Sequence, residues 1–156
     1  MKQVHERKRA QLTGKGKTYS FLMLPRYILQ SPEFIHLDPF AKALFMHWAG
    51  CFNGFNNGDF SAAKNRYADF GFNSPATLQK AKRTLLATRF AVLTRQGQKR
   101  KCSLYGLTIW PIDDCNGKLE VPSERVASNA WKNNSDGHQV SLRGTRRVLK
   151  LVKEAA

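Results

Sequence analysis

The chain has 156 residues, of which 26 are lysine or arginine and 11 are aspartate or glutamate, giving a formal net charge of +15 at pH 7. This length suits one domain with short appendages, and 42% hydrophobic residues allow a modest core. No run reaches the roughly 18 apolar residues of a membrane span, and the first residues lack the apolar core of a signal peptide, so we expect a cytoplasmic protein without membrane contact. The three cysteines form no Cys-x-x-Cys pair, which argues against a zinc knuckle or a disulfide framework.

The basic residues are concentrated in one part of the chain. Between Phe60 and Lys101 there are ten basic residues and a single acidic one, Asp69, whereas the stretch from Phe21 to Asp59 has two basic and three acidic residues. One lysine or arginine usually does no more than solvate a surface. A surplus of ten to one favours a polyanionic partner.

The first part of the chain predicts a basic arm followed by helices. Residues 1–18 are polar and carry six basic residues against one acidic residue, so we expect a flexible basic arm. Pro25 is placed to open a short helix. Asp38 followed by Pro39 is typical of an N-cap and a first helical position, which predicts a scaffold helix that the Asn- and Gly-rich segment 53–59 closes.

Two further helices are predicted with a sharp turn between them. The second helix is expected from Ser61 to Phe70, and Gly71 to Asn73 supplies the turn, because glycine permits a tight helix-to-helix corner. The third helix is expected from Ser74 to Phe90, with Ser74 as N-cap and Pro75 in the first position. Its inward stripe is expected to comprise Leu78, Ala81, Leu85 and Leu86.

Two extended segments follow the third helix. Ala91 to Arg95 and Ser103 to Trp110 are rich in β-branched and aromatic residues, and the basic loop Gln96 to Lys101 joins them into a hairpin. This order of elements predicts an α+β fold, a winged helix-turn-helix in which a three-helix core over residues 19–113 carries the hairpin as its wing.

Such a unit presents its third helix to the major groove of duplex DNA, which makes double-stranded DNA the expected partner. Arginine pairs with guanine and glutamine with adenine, while lysine mainly contacts phosphates and a threonine methyl can touch thymine. The base-reading candidates on the outward face are Thr77, Gln79, Lys80 and Arg83. The candidates for contacts with the DNA backbone are Lys64, Arg66, Asn73, Ser74, Arg95, Lys99, Arg100 and Lys101.

The composition changes beyond Asp113 toward Asn, Asp, Ser and Gly, so residues 114–156 are expected to form a linker and a basic C-terminal tail. Trp131 is the one bulky aromatic residue there. It is expected to dock on its own domain, with docking on a partner as the alternative.

Enzyme chemistry finds little support in the sequence. The four histidines are scattered, no His-Glu-x-x-His spacing occurs, and the carboxylates are too sparse for a metal-dependent nuclease centre. Gly16-Lys-Thr resembles the end of a phosphate loop, but Gln11 stands where the first glycine of that motif is required. We therefore expect no catalytic residues, no metal and no cofactor.

Several phrases together resemble the small winged-helix proteins of bacterial prophages and mobile elements, which are similar to the N-terminal origin-binding domains of phage and plasmid replication initiators. The phrases that carry this resemblance are Phe21-Leu-Met-Leu-Pro, Leu37-Asp-Pro-Phe-Ala-Lys-Ala-Leu, Asn53-Gly-Phe-Asn-Asn-Gly-Asp-Phe-Ser-Ala-Ala, Gly71-Phe-Asn-Ser-Pro-Ala-Thr-Leu and Ser103-Leu-Tyr-Gly-Leu-Thr-Ile-Trp-Pro-Ile-Asp. The resemblance implies a bacterial protein with a major-groove helix at Ser74 to Phe90 and a wing at Arg95 to Lys101.

Three roles stay open at this point. The resemblance favours origin recognition for a mobile element, in contact with replication machinery. The alternatives are a transcriptional regulator that binds an operator and a winged-helix module that holds a protein partner in a nucleoprotein complex. A homodimer is compatible with each DNA-binding role, because a single winged helix reads a short site.

Overall fold

The structure is a computed structural model that describes residues 21–63 and 68–133. The fold is mixed α+β. The helices of the described part are α1 (Arg26–Leu29), α2 (Pro32–Ile35), α3 (Pro39–Gly50) and α4 (Pro75–Ala87), and its strands are β1 (Phe60–Ser61), β2 (Ala91–Arg95) and β3 (Leu104–Leu107). The basic arm at 1–18, most of the C-terminal tail and the predicted phosphate contacts Lys64 and Arg66 lie outside the described residues. None of the described helices combines the length and the apolar character needed to cross a membrane.

The two long helices begin where their capping residues predict. The Asp38 carboxylate accepts the backbone N–H groups of Phe40 and Ala41, each at 3.0 Å, and Pro39 occupies the first turn of α3. The Ser74 hydroxyl accepts the N–H of Thr77 at 3.2 Å and starts α4. Both predicted starts are therefore confirmed.

The predicted end of the third helix at Phe90 is wrong by three residues. Helix α4 stops at Ala87, Thr88 forms its C-cap, and Arg89 takes a left-handed backbone with φ of 58°. A left-handed residue after the C-cap is a common helix terminator, although glycine usually occupies that position. The sequence has no glycine there, so the stop was not visible in it.

The prediction of a helix from Ser61 is wrong at its start. Phe60 and Ser61 form the short strand β1 and pair antiparallel with Tyr105 and Leu104 of β3. The Trp48 indole N–H also donates to the Ser61 carbonyl at 3.3 Å, so contacts far along the chain override the local helical preference of this segment. Residues 64–67 lie outside the described part, and 68–70 form a 3₁₀ turn.

The three strands form an antiparallel sheet in the order β1-β3-β2, which places β3 in the centre. The predicted hairpin is confirmed, with Ala91 opposite Leu107 and Leu93 opposite Tyr105. A bulge between Leu93 and Arg95 shifts the register toward the tip. Strand β3 ends at Leu107 instead of Trp110, because the chain turns at 108–110.

An aromatic core lies between α3, α4 and the sheet. Phe45 and Phe90 meet edge to face at 5.7 Å, and Trp48 stacks on Tyr105 with ring centroids 5.2 Å apart. The predicted inward residues Leu78, Ala81 and Leu85 of α4 are fully buried, and the apolar side chains of α3 that face α4 are buried with them. Burying side chains of this size contributes roughly 1.5–3 kcal/mol each.

The folded part continues past Asp113, where the sequence placed a linker. The backbone of the following segment hydrogen-bonds to the domain at three places, from Glu120 to Thr94, from Glu124 to Ile112 and from Asn129 to Thr108, each at 2.8 Å. Trp131 is buried and stacks on Phe90 with ring centroids 5.2 Å apart. Trp131 thus docks on its own domain.

Asn57 connects three parts of the chain from a fully buried position. Its Nδ2, which carries two N–H donors, lies 2.9, 3.0 and 2.8 Å from the carbonyl oxygens of Leu107, Trp110 and Pro111, so that one N–H is shared between two of them, and its Oδ1 accepts the N–H of Leu107 at 2.8 Å. Its own N–H donates to the Asp113 carboxylate at 2.8 Å. The loop after α3 is thereby fixed to the end of the hairpin.

Candidate nucleic-acid interface

Helix α4 carries cations on the side that faces away from the core. Lys80 and Arg83 are exposed and lie opposite the buried stripe of Leu78, Ala81 and Leu85. Two alanines, Ala76 and Ala87, share this outward side at helical spacing, and Gln79 lies half-buried on its flank. Because alanine is short, the helix backbone can approach a flat or grooved surface closely while the two long cations reach into it.

At the start of α4, Ser74 and Thr77 hydrogen-bond within the helix cap, whereas Asn73 is exposed to solvent. Thr77 is half-buried, and its hydroxyl lies 2.9 Å from the Ser74 hydroxyl that caps the helix. The capping oxygen of Ser74 is therefore engaged with its own helix, whereas Asn73 is exposed. The first turn contains no acidic residue, so its free N–H groups and the positive end of the helix dipole are not neutralised by a carboxylate of that turn.

Lys82 differs from the other cations of α4. It is only 8% exposed, and its ammonium lies 5.7 Å from the centroid of the Tyr105 ring, within cation–π range. Burial also raises the pKa of the Tyr105 phenol, which keeps that ring neutral. Lys82 is one of the ten basic residues counted between Phe60 and Lys101, but its side chain is buried. The only feature of the sequence that indicated burial was its position next to Ala81, at the edge of the inward stripe.

The hairpin tip is a tight turn that presents three consecutive cations. Gln98 and Lys101 exchange two backbone hydrogen bonds of 3.0 Å, which leaves Lys99 and Arg100 at the extreme end. All three basic residues of the tip are exposed. Arg100 has a φ of 65°, a conformation that costs a non-glycine residue about 1–2 kcal/mol. The tip keeps a cation where glycine would be more stable.

Arg95 contacts the base of its own hairpin. Its guanidinium donates to the carbonyl groups of Cys102 at 3.1 Å and Lys118 at 3.4 Å. Next to it, the N–H of Gln96 donates to the Glu120 carboxylate at 3.0 Å. These contacts hold the segment around Lys118 against the hairpin and turn the Arg95 side chain inward.

The cations of this region have no carboxylates near them in the chain. From Phe70 to Ile112 the sequence contains no aspartate or glutamate. Within the described residues, the cations of α4's outward side and the tip form no ion pair; the ion pair that the structure does show joins Lys118 to Asp59 at 2.5 Å and raises the pKa of Lys118 by hydrogen bonding. The exposed cations of α4 and the tip are Lys80, Arg83, Lys99, Arg100 and Lys101, and Arg89, which follows the C-cap of α4, is exposed as well.

The described part of the chain holds no group of three or more His, Cys, Asp or Glu side chains arranged to bind a metal ion. No protein-family model, no curated protein and no solved structure matches the chain. Its function has to be inferred from its own residues.

Proposed function

We propose that the chain is a sequence-specific double-stranded DNA-binding protein of the winged helix-turn-helix type. The observation that carries the proposal is the set of five exposed cations on α4 and the hairpin tip, without a carboxylate in the 43 residues from Phe70 to Ile112. Such a surface attracts a polyanion, and its cations are free to displace the counterions of a phosphate backbone.

The order of the elements supports the winged-helix assignment. The scaffold helix α3 packs on α4, a hairpin directly follows α4, and β1 adds a third strand along β3. The helix expected from Ser61 to Phe70 does not appear among the described residues of that segment, where Ser61 belongs to β1 and 68–70 form a 3₁₀ turn.

In the proposed mechanism, α4 enters the major groove and the hairpin tip lies along the backbone. Arg83 pairs with a guanine, Lys80 and Gln79 contact neighbouring bases, and the Thr77 methyl touches a thymine. Lys99, Arg100 and Lys101 neutralise phosphates, as do Lys64 and Arg66. Asn73 and Ser74 contribute phosphate contacts at the start of α4, chiefly through their backbone N–H groups.

Replacing Arg83 by alanine tests base reading. We expect the free energy of binding to the preferred duplex to weaken by about 1–3 kcal/mol, because a bidentate contact is lost. Selectivity at one position of the site should relax as well. The preferred duplex is first selected from a randomised pool at roughly physiological salt, and affinities for it and for random duplex are then measured. Arg100→Gly is the matched control, since it removes a phosphate contact and should weaken both duplexes alike. Equal losses on both duplexes for Arg83→Ala would show that Arg83 does not read a base.

Within DNA binding, we propose origin recognition in a bacterial mobile element, with replication machinery as the further partner. This finer role is supported by the resemblance to the origin-binding domains of replication initiators. Direct repeats among the selected duplexes would support it. A single inverted repeat would favour an operator-binding regulator, and the absence of any preferred sequence would favour a protein-interaction module.

Replacing Arg95 by alanine tests whether this residue holds the hairpin rather than a phosphate. We expect the free energy of unfolding to fall by about 1–2 kcal/mol, because two charge-assisted hydrogen bonds are lost at a half-buried position. We expect the dependence of DNA affinity on salt to keep its slope, since the guanidinium faces two carbonyl groups. Urea unfolding and salt titrations measure the two quantities. A slope reduced by about one would instead place Arg95 on the DNA backbone.

A further inference from the structure

Asparagine stands directly before glycine at three places in the chain, Asn53-Gly54, Asn57-Gly58 and Asn116-Gly117. This pair is chemically labile, because glycine has no side chain to keep its backbone nitrogen away from the asparagine carboxamide. Attack of that nitrogen on the carboxamide carbon leads, without an enzyme, to aspartate or isoaspartate. The reaction needs an accessible carboxamide and a backbone N–H that is not engaged elsewhere. The fold meets these two conditions to very different degrees at the three pairs.

The pair Asn57-Gly58 is closed to this reaction. Both residues are buried, and Asn57 has 0% exposure. Its side-chain nitrogen, which would leave as ammonia, lies within 3.0 Å of three backbone carbonyl oxygens. Loss of that nitrogen would break these contacts in the interior, where water cannot replace them. Asn57 therefore serves as a negative control within the same chain.

The pair Asn116-Gly117 is exposed, but its reacting nitrogen is engaged. The Gly117 N–H donates to the Asp114 carbonyl at 3.2 Å, within the 3₁₀ turn Cys115–Gly117. This nitrogen reaches the Asn116 carboxamide only after the hydrogen bond has opened. The turn therefore slows deamidation at Asn116.

The pair Asn53-Gly54 meets both conditions. Both residues are exposed, and a methyl group added at Gly54 would meet no atom of the described residues within 4 Å. Within the described part of the chain, neither the Gly54 N–H nor the Asn53 side-chain nitrogen donates a hydrogen bond. The Asn53 carboxamide oxygen accepts the Phe55 N–H at 2.9 Å. Negative charge develops on this oxygen during the attack, so a donor is already in place to stabilise the tetrahedral intermediate.

We propose that Asn53 is the Asn-Gly site at which the folded chain deamidates first. The Gly54 nitrogen loses its proton to a solvent base and forms a bond to the Asn53 Cγ, and the bond from Cγ to the side-chain nitrogen breaks. The leaving nitrogen takes a proton from water and departs as ammonia, which leaves a succinimide ring. One water molecule then adds to either carbonyl of the ring and gives aspartate or isoaspartate. No electrons are gained or lost, so water is the only reagent.

Deamidation changes the loop that fixes α3 to the hairpin. The Asn53 N–H donates to the Asn56 side chain at 2.9 Å, and Asn56 directly precedes the buried Asn57. Isoaspartate lengthens the main chain by one carbon atom at residue 53, which shifts the loop relative to these contacts. Both products also add a negative charge and so lower the net charge of +15. We expect an aged chain to be less basic and less stable than a new one, whether or not it binds DNA.

Peptide mapping by mass spectrometry, after the folded full chain has been kept at mildly alkaline pH, tests the proposal. We expect Asn53 to convert about tenfold faster than Asn116, a factor that corresponds to one hydrogen bond of ordinary strength. Asn57 should not convert. Asn116 converting as fast as Asn53, or Asn53 converting no faster than Asn57, would overturn the proposal.

The same measurement in guanidinium chloride separates the fold from the neighbouring sequence. The three pairs should then convert at similar rates, because the contacts that distinguish them are lost. Asn57 should gain the most, since its carboxamide is released from the interior. If the order of rates in the denatured chain equals that in the folded chain, the fold does not select Asn53, and the proposal fails.

Two matched substitutions locate the reaction without peptide mapping. Asn53→Gln lengthens the side chain, so the ring that would form is larger and closes more slowly, and Asn116→Gln makes the same change at the other exposed pair. Ion-exchange chromatography measures the acidic species that accumulate in each variant. We expect Asn53→Gln to remove most of them and Asn116→Gln to leave them nearly unchanged. Equal accumulation in both variants, or the reverse result, would place the reaction at another asparagine and overturn the assignment.

A second variant covers the case in which glutamine disturbs the turn. The hydroxyl of Asn53→Ser can still accept the Phe55 N–H, but it has no carboxamide to attack. Circular dichroism shows whether each variant keeps the fold. Asn53→Ser should likewise remove most of the acidic species, and their undiminished accumulation in this variant would contradict the proposal.

Discussion

Removing the three cations of the hairpin tip together is expected to weaken binding to every duplex by several hundredfold at roughly 0.1 M salt. The variant combines Lys99→Ala, Arg100→Gly and Lys101→Ala. Each phosphate contact contributes about 0.9 to the slope of affinity against salt on logarithmic scales, so the slope should fall by about 2.7. Glycine is chosen at position 100 because its left-handed φ of 65° suits glycine and should keep the tip stable. Fluorescence anisotropy with selected and random duplexes over a range of salt concentrations measures both effects.

A control with the same change in net charge separates local contacts from the overall field. Arg26, Arg125 and Lys132 are exposed and lie outside α4 and the hairpin, so replacing all three by alanine also lowers the charge by three. We expect the control to keep most of its salt slope. If the two triple variants lose the same affinity, the tip is not a phosphate contact, and only the total charge of the chain matters.

Replacing Asn57 by alanine is expected to lower the free energy of unfolding by about 3–5 kcal/mol. The carboxamide hydrogen-bonds to the backbone of Leu107, Trp110 and Pro111 through both its nitrogen and its oxygen, from a site with 0% exposure. Its removal leaves several buried polar groups without partners, each at a cost of roughly 1–3 kcal/mol before the site relaxes. Chemical denaturation followed by circular dichroism measures the loss.

The neighbouring residue provides the control for Asn57. The Asn56 side chain also hydrogen-bonds to the backbone, because it accepts the N–H of Asn53 at 2.9 Å and donates to the Cys51 carbonyl at 2.9 Å. Unlike Asn57, it is only half-buried. Asn56→Ala should cost about 1 kcal/mol, because water can replace its partners. Comparable losses for both variants would mean that the buried position of Asn57 has no special importance.

Signals that lie within one turn of the chain predicted the structure well. Asp38-Pro39 and Ser74-Pro75 marked the starts of α3 and α4, and the bounds of β2 matched the predicted extended segment. In each case the residues that decide the structure are neighbours in sequence, so propensity and capping suffice.

Signals that depend on distant residues were not visible in the sequence. Strand β1 has two residues and exists because Tyr105 and Leu104 pair with it across more than forty positions. From the sequence, Asn57 is only one of several turn-forming residues. Its buried role was not visible because its hydrogen-bond partners come some fifty positions later. A two-residue strand has no periodicity to detect, and a buried asparagine looks like any other in a loop.

In the candidate site, too, local signals were predictive and contacts between distant residues were not. Helical spacing predicted that Lys80 and Arg83 would face outward, and both are exposed. It could not predict that Arg95 would be held by the carbonyl groups of Cys102 and Lys118, because the segment that brings Lys118 there was expected to be a linker. DNA as the ligand, and each base or phosphate contact, stays a prediction.

The contact between Tyr27 and Trp131 has a consequence for how the chain can be handled. The two rings stack 6.2 Å apart, and Lys132 lies 5.0 Å from the centroid of the Tyr27 ring. Tyr27 belongs to α1 and Trp131 to the segment that follows the hairpin, so the stack joins early and late parts of the described chain. A protease cut in the exposed turn at Gly54 would therefore leave two pieces that stay in contact through the Tyr27–Trp131 and Trp48–Tyr105 ring stacks.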